Sequence, residues 1–76
     1  MSLIGDAKLN ILQTLREGPS YGYELQGELS LNRGTVYVHL KELREAGMIE
    51  VDRVEDNKKY YQLTDDGEQL LNALGE

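Results

Sequence analysis

Residues 32–47, Asn-Arg-Gly-Thr-Val-Tyr-Val-His-Leu-Lys-Glu-Leu-Arg-Glu-Ala-Gly, constrain the chain most, because they read as one helix with both ends marked. Asn32 offers a side-chain acceptor to the free N–H groups of the first turn, and Gly47 can adopt the left-handed conformation that closes the last one. Val36, Leu40, Leu43 and Gly47 follow at i, i+4, i+7 and i+11, so they share one narrow face and predict a core stripe. The opposite side carries Gly34, Val38, Lys41 and Glu45. Arg33, Tyr37 and Arg44 run along one shoulder, and Thr35 and His39 along the other. A helix that buries one stripe and shows Arg, Thr, Tyr and Lys suits the DNA major groove, which admits a whole helix and displays donors, acceptors and the thymine methyl. Val38 is then the methyl-contacting residue. An ordinary solvent-facing helix has the same pattern, so the flanking segments must decide.

A first helix is predicted over about residues 4–17, with Ile4, Ala7, Ile11 and Leu15 on one stripe and Leu12 beside it. Leu9 falls off that stripe, as either a lone exposed residue or a subunit contact. Gly18-Pro19 ends the helix. Ser20-Tyr21-Gly22-Tyr23 opens a second, shorter helix running to about residue 29. Gly22 and Gly27 lower its propensity, so packing must hold it. Residues 30–32 form a three-residue connection with Leu31 at the buried corner, which is helix-turn-helix spacing. Beyond Gly47 the hydrophobic period changes from 3.6 to 2. Residues 48–54 alternate with Ile49 and Val51 inward, residues 55–58 are a polar turn, and residues 59–63 alternate again with Tyr61 and Leu63 inward, giving a hairpin or wing. The phase slips near Arg53, which predicts a bulge. Thr64 is an N-cap followed by Asp65 and Asp66, acids that favour a helix N-terminus, and the last helix carries Leu70, Leu71 and Leu74.

The expected class is therefore α+β and mostly helical: a winged helix-turn-helix of three helices, a two-stranded wing and a C-terminal helix. We read residues 1–76 as one domain, with the helix-turn-helix at about 22–46, the wing at about 48–63 and the final helix at about 64–74. A chain of 76 residues buries only a modest core, which favours a partner subunit. The absence of cysteine removes disulfides and thiolate metal sites. No apolar run approaches a membrane span and no signal peptide precedes the first helix, so a cytoplasmic location is expected. The formal net charge of −6 argues against nucleic acid as a total, but it is unevenly spread. Residues 1–32 hold two basic and four acidic groups, residues 33–59 hold six and six, and residues 60–76 hold none and four. The cations gather around the central helix and the wing.

Several blocks, in order, resemble the PadR family of transcriptional regulators. They are Ile11-Leu12 through Glu17-Gly18-Pro19, Tyr21-Gly22-Tyr23-Glu24-Leu25, Gly34-Thr35-Val36-Tyr37, Leu43 to Ala46-Gly47-Met48-Ile49, and Tyr60-Tyr61-Gln62-Leu63-Thr64-Asp65-Asp66-Gly67. The resemblance implies a homodimeric DNA-binding regulator, usually a repressor, with the third helix of each subunit in successive major grooves of double-stranded DNA. Carried onto this chain, it places Thr35, Tyr37 and Lys41 toward DNA, Tyr21 near the backbone, and Lys58 and Lys59 in the wing. Lys41, Lys58 and Lys59 would neutralise phosphates, whereas Thr35, Val38 and Arg33 could read base edges, and Gly34 is counted with them as DNA-binding. The chain departs from the family in a shorter helix-turn-helix connection, a less basic wing tip and a C-terminal helix that ends early. A dimer would then use Leu9 with Leu70, Leu71 and Leu74. No effector is specified.

No catalytic constellation is present. His39 lacks neighbours at ligand spacing, so no metal is expected. Asp65-Asp66 and Glu55-Asp56 read as a helix start and a solvated turn, and there is no phosphate-binding glycine loop; no cofactor is expected. The competing reading is a winged helix that binds protein without binding DNA, since a fold does not fix a function. Net charge favours that reading, and the local cation pattern favours DNA.

Overall fold

The computed structural model describes residues 5–76. Its elements are α1 (Asp6–Glu17), β1 (Ser20–Tyr21), α2 (Gly22–Leu29), α3 (Arg33–Glu45), β2 (Ile49–Glu55), β3 (Lys58–Leu63) and α4 (Asp65–Ala73). This is a winged helix-turn-helix. The predicted place of Ile4 on the first stripe lies outside the described residues.

The marked ends of α3 form as their residue types require. Asn32 Oδ1 accepts from the Thr35 N–H at 2.8 Å, and Gly47 takes φ 79° just past the helix, where a residue with a Cβ would be strained. α4 starts in the same way, with Thr64 Oγ1 accepting from Gly67 N at 3.1 Å. The Thr64 hydroxyl also donates to the Gly47 carbonyl at 2.6 Å, so one side chain joins the end of the α3 loop to the start of α4. Gly67 is required here by contact rather than by φ: a Cβ would stand 2.1 Å from the Met48 carbonyl oxygen. That carbonyl accepts the Thr64 N–H at 3.1 Å, so it cannot turn away without losing a hydrogen bond.

The wing departs from the expectation at its base. Ser20 and Tyr21, read from sequence as the opening of the second helix, instead form β1, which pairs antiparallel with β3 in the register Ser20↔Tyr61 and Tyr21↔Tyr60. The result is a three-stranded sheet in the order β1-β3-β2. Strand pairing wins because β3 offers a free edge, and two residues are too short a run to show alternation. The expected bulge is present: Val51 pairs with Tyr61 and Arg53 with Tyr60, which leaves Asp52 as the extra residue. It turns Val54 outward, 64% exposed. At the tip, Asp56 and Asn57 both have positive φ, 51° and 64°, the backbone of a two-residue hairpin turn with the right-handed twist of the strands.

Every element except the short β1 contributes to one apolar core: Ile11, Leu12 and Leu15 from α1, Leu25 from α2, Val36, Leu40 and Leu43 from α3, Ile49 and Tyr61 from the wing, and Leu71 from α4. The predicted stripe of α3 is the inner wall of that core. Leu9 is not a lone exposed residue; it is half-buried and packs on the core edge, as do Leu63 and Leu70. Leu71, expected at a subunit contact, is wholly buried in the chain's own core and presents no surface. Arg16 fastens α4 to α1, its guanidinium lying 3.2 Å from Glu68 Oε1 and 3.2 Å from Asn72 Oδ1.

Candidate nucleic-acid interface

α3 buries Val36, Leu40 and Leu43, and so must turn the residues between them outward. Arg33, Gly34, Val38, Lys41 and Arg44 are exposed, with Val38 at 55%, a value that marks it as a surface valine rather than a core one. Thr35 is half-buried, its backbone N–H already taken by Asn32. His39 faces α1: its Nδ1 is 3.7 Å from Glu42 Oε1, which Lys8 Nζ approaches to 3.1 Å. The Lys8 ammonium, through its hydrogen bond first and its charge second, holds the Glu42 carboxyl below the ordinary carboxylate value.

The wing folds back toward this helix and closes a hollow of about 340 Å³ against the start of α2, lined by Tyr21, Gly22, Tyr23, Tyr37, Asn57, Lys58, Lys59 and Tyr61. A second hollow, lined by Tyr37, Lys41, Arg44, Glu45 and Tyr61, shares two residues with the first. The two hollows meet at Tyr37 and Tyr61, and this tyrosine-walled pair, the channel beside α3, has Lys58, Lys59, Lys41 and Arg44 in its lining, with Arg33 close by over the Tyr37 ring at 5.7 Å. Aromatic contacts hold the wing in place. Lys58 Nζ sits 4.9 Å from the Tyr21 ring centroid, Tyr21 meets Tyr60 edge-on at 5.1 Å, and the Arg53 guanidinium covers Tyr60 at 4.1 Å. Tyr60 is therefore held between Tyr21 of β1 and Arg53 of β2.

Charge is sorted along the same line. Among the described residues, three of the eight Lys and Arg side chains pair with carboxylates: Lys8 with Glu42, Arg16 with Glu68, and Arg53 with Asp52 and Glu55. The others, Arg33, Lys41, Arg44, Lys58 and Lys59, make no such pair, and these are the ones beside the channel. A uniformly acidic chain would be expected to quench cations everywhere. Here they are quenched away from the channel and left unpaired next to it.

The structure thus gathers the predicted residues Tyr21, Tyr37, Lys58 and Lys59 into one hollow and Lys41 into the next. Thr35, Val38 and Gly34 line neither; they belong to α3 itself. Sequence reasoning missed Gly22, Tyr23 and Asn57 as lining residues and took Tyr61 as core alone. The Tyr-Gly-Tyr run was the available signal, but its meaning depended on where the wing tip lands. Among the described residues no helix is long and apolar enough to cross a membrane, and no cluster of His, Asp and Glu has the arrangement of a metal site.

Fold and channel together define a winged helix-turn-helix domain with a cationic face along α3. The chain belongs to the transcriptional regulator PadR-like family, whose model matches residues 11–73. It is 40% identical over 53 residues to an uncharacterized HTH-type transcriptional regulator, MJ0229, of Methanocaldococcus jannaschii, the match covering 70% of this chain and 56% of that protein. The chain thus spans little more than half the length of that curated relative. Among solved structures it is similar to the transcriptional regulator Tm0710 of Thermotoga maritima, with a TM-score of 0.83 and 28% identity over 91% of this chain and 51% of the other. The transcriptional repressor BigR of Xylella fastidiosa is also similar, at a TM-score of 0.77 and 33% identity, covering 90% and 67%. The family consists of regulators rather than enzymes.

Proposed function

We propose that the chain binds double-stranded DNA as a homodimer and acts as a repressor, each subunit laying α3 in a major groove with the wing against the flanking backbone. The observation that carries this reading is the sorting of charge: Arg33, Lys41, Arg44, Lys58 and Lys59 are free of carboxylate partners and adjoin α3 and the channel beside it. Phosphate contacts from these cations supply affinity and register, while Thr35 and Val38 face base edges and supply discrimination. The repressor BigR supports the regulatory sign by analogy. Leu9, Leu70 and Leu74 are the half-buried leucines of α1 and the α4 end from which a subunit contact would be built.

The test is selection of bound sequences from a randomised duplex pool, with sedimentation of the free protein. A two-fold dimer recovers palindromes whose half-sites lie about one helical turn apart. Thr35→Ala should blur discrimination among the recovered sites more than it lowers affinity for random duplex; equal losses on both would remove Thr35 from base readout. The net charge of −6 favours the second reading, a protein-binding winged helix. Absence of binding to any duplex at low salt would overturn the first reading and move the weight to the second.

A further inference from the structure

We propose that Gly22 is a positioning residue for DNA: its bare Cα seats the Tyr37 phenol, and the seated ring makes Tyr37 a contact to the sugar–phosphate backbone rather than to base edges. The proposal rests on the DNA-binding reading above. Gly22 is the buried first residue of α2, and a Cβ there would stand 2.8 Å from Tyr37 Cζ, 2.9 Å from its Cε1 and 2.9 Å from its hydroxyl oxygen. No real side chain tolerates such distances, so the ring occupies the space that glycine leaves. Gly27, on the same helix, has nothing within 4 Å of its Cβ position, so no packing demand of this kind operates there.

The consequence for Tyr37 is directional. The residue lies in the N-terminal half of α3, and its ring leans back onto the start of α2 instead of projecting with Val38 and Lys41 from the outward side. Its hydroxyl makes no hydrogen bond with the described residues, and the ring lines the hollow that Lys58 and Lys59 border. An O–H donor that lines one hollow with two ammonium-bearing side chains suits a phosphate oxygen, which accepts charge-assisted hydrogen bonds from both kinds of group. A strand passing beside α3, not the groove floor beneath it, would meet that group.

Tyr37 is 45% exposed, so a Cβ at Gly22 pushes on the end of a side chain that is free to swing into solvent. Gly22→Ala should therefore leave the fold in place and displace the ring. Wild type, Gly22→Ala, Gly27→Ala, Tyr37→Ala and the Gly22→Ala/Tyr37→Ala double variant are titrated with a recovered operator and with random duplex. A nuclear Overhauser contact between the Tyr37 ring and the Gly22 Hα reports seating without DNA. The contact should be present in wild type. Gly22→Ala and Tyr37→Ala should each weaken both duplexes by roughly tenfold per subunit, the scale of one charge-assisted hydrogen bond. The double variant should lose no more than either single one, and Gly27→Ala should match wild type. Wild-type affinity in Gly22→Ala, multiplicative losses in the double variant, or a loss confined to the operator would each overturn the proposal while leaving DNA binding intact. Failure of wild type to bind any duplex would overturn the DNA-binding reading and this proposal with it. Should Gly22→Ala not fold, Tyr37→Phe keeps the ring and removes the hydroxyl: the same loss on both duplexes is expected, and unchanged affinity refutes the phosphate contact.

Discussion

The salt dependence of DNA binding can be worked out from the sorted cations. Each phosphate neutralised by Lys or Arg releases condensed counterions and contributes about −0.9 to the slope of log K against log salt on duplex DNA. Arg33, Lys41, Arg44, Lys58 and Lys59 have no carboxylate competing for them. If all five engage, one subunit gives a slope of about −4.5 and a dimer one of about −9. Between 50 and 200 mM salt these correspond to affinity losses of roughly 500-fold and roughly 10⁵-fold, a gap wide enough to separate one bound subunit from two. Fluorescence anisotropy of a labelled duplex across a salt series measures the slope. Lys41→Ala should flatten it by about one unit per subunit, on operator and random duplex alike. Lys8→Ala, which removes a cation already paired with Glu42 away from the channel, should leave it unchanged. Equal flattening by the two substitutions would mean that net charge, not placement, governs binding, and the sorting argument would fail.

Gly67→Ala should cost roughly 2–4 kcal/mol, combining overpacking against the Met48 carbonyl with loss of the Thr64 N–H bond to it; chemical denaturation checks this, and a near-neutral result would show that α4 can slide. Asn57→Gly should stabilise the wing by a few tenths to about 1 kcal/mol, because it relieves a positive φ at the second turn position and gives the Asp-Gly pair favoured in such turns; a drop in stability by the same assay would count against the turn assignment. The Glu42 carboxyl, held low by Lys8, contributes stability that is present above the unfolded carboxylate pKa and lost as pH falls through its folded value. Lys8→Ala should move that pKa upward toward the ordinary value in a carboxyl-carbon NMR titration, and an unmoved titration would deny the pair. Glu45→Gln, which removes the one carboxylate lining the Lys41–Arg44 hollow, should raise affinity about threefold at low salt, whereas Glu28→Gln should not; equal gains would point to net charge alone.

The elements legible in the sequence were those whose signal is local. Asn32 and Thr64 announce helix starts because capping needs only the residue and the N–H groups three positions on. The slip near Arg53 was visible as a break in alternation, and the bulge falls there. What stayed hidden depends on partners distant in sequence. Ser20-Tyr21 looks like a helix start until β3 arrives to pair with it, forty residues later in the chain. Leu71 sits among leucines that all resemble surface contacts, and only the approach of α1 decides which of them is covered. Gly22 and Gly27 are equal as helix breakers on propensity, yet one of them houses an aromatic ring and the other faces open space. The channel combined both kinds of information: its cations could be counted along the chain, but its walls required the wing to fold back on α2.

That division also explains how an acidic chain could carry the nucleic-acid surface proposed for it. A net charge acts at long range, and salt screens it beyond a Debye length of about 10 Å at 0.1 M, so at contact the local arrangement dominates. Acidic groups on Glu42, Glu68, Asp52 and Glu55 are spent on Lys8, Arg16 and Arg53, where they tie α3 to α1, α4 to α1 and the wing to itself. Such exposed pairs contribute little to stability individually. Their greater effect is to fix where positive charge remains. With those three cations engaged, the unpaired ones border α3 and the channel, and the excess of carboxylates discourages phosphate from settling elsewhere on the surface. An acidic body with a narrow cationic channel should bind DNA more weakly than a basic one of the same fold, but in a single orientation, which is what reading base edges from one helix requires.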